Sequence, residues 1–364
     1  MERENKRENI LQKITGQIAP LDKEAMEKAR LRVDDLTKPP GSLGRLEDLS
    51  IQLAGIKGDF FPTGSRKRVV IMAADHGVTE EGISAFPSEV TGQMLSNFAA
   101  GGAGINVLSN LGDVEIKVVD VGVATEYEES TVKQARIRPG TANFCEEPAM
   151  SREEAVDAVL TGVEIARESA QDGVQVLATG EMGIGNTTAS SAVMAAFTGY
   201  EASLVVGRGS GLDDEKLLHK QSIVEKALKL HKPNADDPVE VVSKVGGLEI
   251  AGLAGLILGA AYNRIPVVID GFISTAAALL AVNMNSGVKD YLIPSHQSME
   301  SGHALLLDYL NLQPYLNMNM RLGEGTGAVL AMQLVEAAAR ITLEMATFSD
   351  AGISKEADIN EPQN

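Results

Sequence analysis

Apolar runs rich in Val and Ile recur at Val69 to Asp75, Ile116 to Gly122, Val174 to Gly180, Leu204 to Gly207 and Pro266 to Gly271, each ending in a small or acidic residue. Runs of this kind, without alternation, predict strands buried on both faces. Between them the pattern turns helical. It is clearest from Ser151 to Asp172, where Ala155, Val159, Val163, Ala166 and Ala170 share a face and Ser151 with Glu154 reads as a capping box. Strand alternating with helix implies an α/β fold. We expect an open, mostly parallel, Rossmann-like sheet flanked by helices, with ligands gathering beyond the carboxyl ends of the strands.

The first 65 residues are different: Lys, Arg, Glu and Leu at helical spacing, broken at Lys38-Pro39-Pro40-Gly41. They predict the N-terminal helical part of a small domain. Residues 66–298 then form the large α/β domain, helices in 299–348 complete the small one, and the acidic stretch 349–364 is a loose tail. The two most apolar stretches, Gly247 to Tyr262 and Ile265 to Met284, are interrupted by Glu249 and by Asp270-Gly271. They read as buried helices and a strand rather than membrane spans.

Charge narrows the function classes. With 50 acidic against 32 basic residues the formal net charge is −18, so the overall field repels nucleic acid and anionic membranes and any phosphate has to be caught locally. The single Cys145 excludes an intrachain disulfide and any multi-cysteine metal site. Residues Met1 to Lys13 are charged and lack the apolar core of a secretory signal, which points to the cytoplasm.

Several motifs fall where ligands are expected. Gly180-Glu181-Met182-Gly183-Ile184-Gly185-Asn186-Thr187-Thr188 follows an expected strand and leads into an Ala-rich helix that Asn186 or Thr187 can cap. It reads either as an anion site of backbone N–H groups for a phosphate or ribose phosphate, or as a plain strand-to-helix turn. Its spacing matches neither the triphosphate loop nor the dinucleotide fingerprint. Gly207-Arg208-Gly209-Ser210-Gly211 is a second cradle with Arg208 as counter-charge, and Pro294-Ser295-His296-Gln297-Ser298 offers either hydroxyls to a phosphate or a helix cap at Ser295 or Ser298. Ala74-Asp75-His76-Gly77-Val78 closes the first strand, and its Asp-His pair is either catalytic, a metal ligand or a structural brace. The histidines show no metal-ligand spacing. Arg321-Leu322-Gly323-Glu324-Gly325-Thr326-Gly327 sets a lone carboxylate among glycines before an apolar helix, as a base aimed at a ligand or as a solvated helix-start loop.

Together with Lys38 to Glu47, Ser243-Lys244-Val245-Gly246-Gly247 and Asp270-Gly271-Phe272, these motifs occur in the order found in one family, over about Leu36 to Ala339. The chain resembles the nicotinate-nucleotide:dimethylbenzimidazole phosphoribosyltransferases of the lower-ligand branch of cobalamin biosynthesis. The resemblance implies transfer of phosphoribose from nicotinate mononucleotide to 5,6-dimethylbenzimidazole, with inversion at the anomeric carbon. By the same resemblance Glu324 is the general base. Glu181, Gly183, Asn186, Gly209 and Ser298 hold the phosphoribose, and Phe86, Gln93, Met94 and Leu322 surround the aromatic base. It further implies no cofactor, no metal and a homodimer. The acidic signature of diphosphate-dependent phosphoribosyltransferases is missing from Val118 to Gly122 and Val267 to Gly271, in line with a metal-free reaction. Two other readings compete: an N-glycosidase, which would release nicotinate without an acceptor, and a nucleotide-binding regulator, which would bind without turnover.

Overall fold

The computed structural model describes residues 2–209 and 213–354. Three helices open the chain: α1 (Glu2–Thr15), α2 (Lys23–Asp34) and α3 (Arg45–Lys57). Next come β1 (Lys67–Ala74), α4 (Glu89–Ala100), α5 (Gly104–Gly112), β2 (Val114–Gly122), β3 (Lys133–Gln134), α6 (Arg152–Gln171), β4 (Val176–Met182) and α7 (Asn186–Thr198). A helical stretch follows, α8 (Ala202–Val205), α9 (Asp214–His231), α10 (Pro238–Val245) and α11 (Leu248–Tyr262), before β5 (Val267–Ile269), α12 (Phe272–Met284) and β6 (Leu292–Pro294). The last helices are α13 (Ser301–Tyr309), α14 (Thr326–Glu344) and α15 (Phe348–Ala351).

All strand pairings are parallel, in the order β3-β2-β1-β4-β5-β6. Consecutive strands therefore run outward in one direction from β1 and in the other from β4. The crevice at that switch point is where such a sheet binds ligands. As the apolar runs imply, Val69 to Ala74 in β1 and Val176 to Ala178 in β4 are fully buried. The capping box of α6 is formed: the Ser151 side chain accepts from Glu154 N, and Glu154 Oε2 accepts from Ser151 N at 2.7 Å. Helix α11 is buried on nearly every side and packs against α6 through glycines. A β-carbon on Gly162 would lie 1.8 Å from the Gly252 carbonyl, and one on Gly255 1.8 Å from that of Val159.

Leu204 to Gly207 is not a strand. Its first residues close the short helix α8, with Ala202 and Val205 buried and Leu204 51% exposed, which a strand buried on both faces would not allow. Strands β3 and β6 are too short for a periodic signal.

The chain divides into two compact units, one of residues 1–19 and 66–332, the other of 20–65 and 333–364. This differs from the sequence expectation at both ends. Helix α1 groups with the sheet, since Arg7 pairs with Asp157 and Arg152 with Glu8, and so does the stretch 299–332. In the smaller unit Ala29, Ile51 and Ala54 form one core cluster with Met26 and Phe60 packed on it, and Ser50 Oγ donates to the Ala338 carbonyl at 2.9 Å. Helix α14 passes the length and composition test for a membrane span, yet Ala328, Val329, Ala331, Met332, Val335, Ala338 and Ala339 are buried in the fold. Of the expected acidic tail, residues 355–364 lie outside the described residues, as do Ser210, Gly211 and Leu212 of the second glycine motif.

Candidate active site

A cavity of about 530 Å³ opens at the carboxyl ends of the strands, walled by the segments after β4, β5 and β6, by residues 321–324, by residues 83–94 and by α9. The 321–324 wall carries its most unusual backbone. Gly323, Glu324 and Gly325 all have positive φ, at 82°, 63° and 93°. For Glu324 this left-handed conformation costs roughly 1–2 kcal/mol and has to be held by its surroundings. Gly180 makes room for it, because a β-carbon there would sit 2.5 Å from the Glu324 carbonyl oxygen. Glu324 is 6% exposed and its Oε2 accepts the Ile105 N–H at 3.1 Å. Burial raises its pKa above the usual glutamate value, the Ile105 N–H draws it back, and the charge of Asp270 adds to the rise. A buried carboxyl with raised basicity can take a proton from a ligand.

Glu181 faces the same space. Burial, with the charges of Asp270, Glu249 and Glu324 adding to it, pushes its carboxyl up to about 8, against the opposing hydrogen bond from the Asn186 side chain. Asn186 is thus the first residue of α7 rather than its cap, and Thr187 does not cap either. Gly185, at φ 96°, occupies the cap position with no side chain to offer. The start of α7 faces the cavity without a side-chain cap, while the Asn186 and Thr188 N–H groups donate to the Gly183 and Gly185 carbonyls at 3.1 and 2.9 Å.

The cation beside it was missed in the sequence. Lys220 is 1% exposed, and its Nζ donates to Thr187 Oγ1 at 2.8 Å and to the Gly207 carbonyl at 3.4 Å. Burial lowers its pKa to about 8, partly offset by the charge of Glu300. The signal was present: Lys220 stands on the buried stripe of α9 with Ile223, Val224 and Ala227, an odd place for a lysine without a task. Gly209 belongs to the same corner, since a β-carbon on it would lie 3.3 Å from Thr187 Oγ1 and 3.4 Å from Lys220 Nζ. Arg208 and Arg321 also line the cavity, and Arg321 donates to the Gly209 carbonyl at 3.2 Å.

Of the residues named from sequence, Glu324, Glu181, Gly183, Asn186, Gly209, Ser298, Phe86, Met94 and Leu322 lie on the cavity wall. Gln93 does not. It is exposed on α4, one position off the stripe by which Val90 and Met94 reach the cavity. Ser298 caps no helix at the first residue of α13, where Glu300 holds the cap position, although its Oγ accepts the Glu300 N–H at 3.3 Å. Ser295 Oγ donates to the Asp270 carbonyl. His303 orients the Ser298 backbone: its Nδ1 accepts the Ser298 N–H at 2.8 Å, so Nε2 carries the proton and faces Thr275 Oγ1 at 2.9 Å. Burial and the nearby His296 push His303 down to about 3, so the ring is neutral.

The Asp75-His76 pair is a brace behind the wall. Asp75 Oδ2 accepts the Ala124 N–H at 2.8 Å, and His76 Nε2 lies 2.8 Å from Glu249 Oε1 with both side chains fully buried. Burial alone would lower the His76 pKa; the charge and hydrogen bond of Glu249 raise it. A β-carbon on Gly183 would be 3.4 Å from His76 Nε2, so this pair lies against the turn after β4. In the sequence, Glu249 showed only as an acid in an apolar helix.

The cavity thus has two poles. One carries Lys220, Arg208, Arg321 and the first residues of α7, which no side chain caps; the other carries the buried carboxyls Glu181 and Glu324. Comparison with known proteins agrees in kind. A family model described as phosphoribosyltransferase matches residues 18–353. The nicotinate-nucleotide–dimethylbenzimidazole phosphoribosyltransferase of Chloroflexus aurantiacus is 53% identical over 348 residues, 95% of this chain and 99% of the relative. That of Geobacter sulfurreducens is 50% identical over 347 residues, with the same coverage of 95% and 99%. The crystal structure of the enzyme of that name from Thermus thermophilus is similar with a TM-score of 0.87 at 47% identity, covering 92% of this chain and 100% of that one.

Proposed function

The chain belongs to the nicotinate-nucleotide–dimethylbenzimidazole phosphoribosyltransferase family, enzymes of cobalamin biosynthesis, and we propose that it transfers phosphoribose from nicotinate mononucleotide to 5,6-dimethylbenzimidazole. The observation that carries this reading to the site is the two-poled cavity. Lys220, the two arginines and the start of α7 suit the 5′-phosphate, while Glu181 suits a ribose hydroxyl and Glu324 a base that must lose a proton.

The imine nitrogen of the benzimidazole attacks the anomeric carbon from the face opposite the pyridinium. As that bond forms, the C–N bond to nicotinate breaks and its electron pair neutralises the pyridine nitrogen, so the leaving group needs no acid. The attacking base becomes cationic and its remaining N–H acidic. Glu324 takes that proton, leaving α-ribazole 5′-phosphate with a neutral benzimidazole ring, nicotinate and a protonated Glu324. Attack from the opposite face inverts the anomeric carbon. Glu181, protonated near neutral pH, can donate to a ribose hydroxyl without repelling the phosphate. Phe86, Met94 and Leu322 give the acceptor an apolar seat.

The test is nicotinate release from the mononucleotide with and without dimethylbenzimidazole, with the ribosylated product identified by mass. Release that depends on the acceptor and yields α-ribazole 5′-phosphate is expected. Release at full rate without acceptor would make the protein a glycosidase, and no release with any benzimidazole would remove the reading. A homodimer in the cytoplasm belongs to the same proposal, and sedimentation of the purified chain checks its first half.

A further inference from the structure

Helix α14 lacks the means to finish its own start. A capping box needs side chains at the cap and three residues on, to accept the N–H groups of those same two positions. Here the places fall to Gly325 and Ala328, which have nothing to offer. A residue far away in sequence does both jobs. Asp270 Oδ2 accepts the Gly325 N–H at 3.1 Å, and Asp270 Oδ1 accepts the Ala328 N–H at 3.0 Å. Asp270 is itself clamped at the end of β5: its N–H donates to Thr179 Oγ1 at 3.2 Å, and its carbonyl accepts Ser295 Oγ at 3.2 Å. The helix start can seat on it because residue 327 is glycine, where a β-carbon would lie 2.1 Å from His296 Cδ2 and 2.9 Å from Asp270 Oδ1.

The residue directly before this pinned start is Glu324, in its left-handed conformation at φ 63°. We propose that Asp270 is the positioning residue of Glu324: its carboxylate pins the helix start that holds the Glu324 side chain over the cavity. The inference rests on the reading of Glu324 as the base. The groups facing Glu324 are Asp270 after β5, Glu181 in β4 and the Ile105 N–H of α5; Asp270 also has His296 Nε2 at 3.6 Å. Asp270 raises the pKa of Glu324, so removing its charge makes Glu324 a weaker base that stays ionised to lower pH.

The experiment compares Asp270→Asn with Glu324→Gln in the full chain. For Asp270→Asn we expect kcat to fall by at least about tenfold, mononucleotide affinity to stay near wild type, and the acid limb of the kcat profile to move to lower pH. A purely structural residue would leave the limb where it was. Unchanged kcat and an unmoved limb in Asp270→Asn, beside an inactive Glu324→Gln, would overturn the positioning role alone. An active Glu324→Gln would instead remove the base reading. A second measurement does not need Asp270→Asn to fold. In Glu324→Gln the amide signals of Gly325 and Ala328 should shift together with one carboxyl titration, and their failure to do so would overturn the inference.

Discussion

Two glutamates in this chain look alike in sequence and sit in opposite electrostatic settings. Glu47 stands in the turn Lys38-Pro39-Pro40-Gly41-Ser42-Leu43-Gly44-Arg45-Leu46-Glu47, and Glu324 in Gly323-Glu324-Gly325. Both are buried at helix starts, among glycines at positive φ: Gly41 at 74° and Gly44 at 54°, Gly323 at 82° and Gly325 at 93°. Burial pushes both carboxyls up, and their partners decide the outcome. Glu47 has Lys38 Nζ at 2.8 Å and the Leu43 N–H at 2.8 Å, and these hold it below the usual glutamate value in spite of its burial. Glu324 has the Ile105 N–H and an acid, Asp270, and stays above it. A buried carboxylate with a cation is a brace; the same group among other acids is a base in waiting.

The comparison breaks most sharply at Glu324 itself. Glu324→Gln should lower transfer by about 10²–10⁴-fold while mononucleotide binding and the melting temperature hold, because the amide keeps the shape and cannot take a proton. Wild-type turnover would end its role as base. The reverse pattern is expected for Lys38→Met, which strands Glu47 without its cation. Unfolding free energy in urea should fall by roughly 3 kcal/mol with kcat of the folded protein unchanged. A loss of kcat without loss of stability would erase the distinction.

The glycines separate the two turns at smaller cost. A β-carbon on Gly323 would lie 2.3 Å from Glu181 Oε1, whereas one on Gly41 meets nothing within 4 Å. Gly41→Ala should therefore cost only about 1 kcal/mol of backbone strain in a thermal melt, while Gly323→Ala should weaken turnover and mononucleotide affinity as well. Equal effects on activity would show that the Glu324 turn is not tuned to its neighbour.

The smallest difference to resolve is in pH. The folded pKa of Glu47 lies below the ordinary glutamate value of 4.5, so its contribution to stability is present above about that pH and lost as pH falls through the lower folded value. The folded pKa of Glu324 lies above 4.5, so its ionisation works against folding as pH rises, and transfer should fail on acidification before Glu47 is protonated. An activity profile and an unfolding profile on the same buffers check the order. Coincident losses would contradict it.

Much of the fold was legible. Strands β1, β2, β4 and β5 show as apolar runs, since a strand buried on both faces has no polar positions to spare, and α6 shows by its capping box. Leu204 to Gly207 misled because a short apolar stretch fits a helical turn as well as a strand. The site was legible where glycine marks it, at Gly180 to Gly185 and Gly323 to Gly325, because close backbone approach and positive φ restrict the residue type. Lys220 and Glu249 were harder. Each is one charged residue in an apolar stripe, and its partner lies on a different element: Thr187 in one case, His76 in the other.

The amino-acid order alone therefore determined the layered α/β architecture, the strand ends where ligands gather and the glycine-framed Glu324, because burial and backbone freedom act on each stretch of chain locally. It did not determine which glutamate would be held below the usual value and which raised above it. That depended on which charges came within reach: Lys38 across one turn for Glu47, and for Glu324 an aspartate some fifty positions earlier. Electrostatic partners are set by distance in space, and only the folded sheet brings Asp270 under the start of α14.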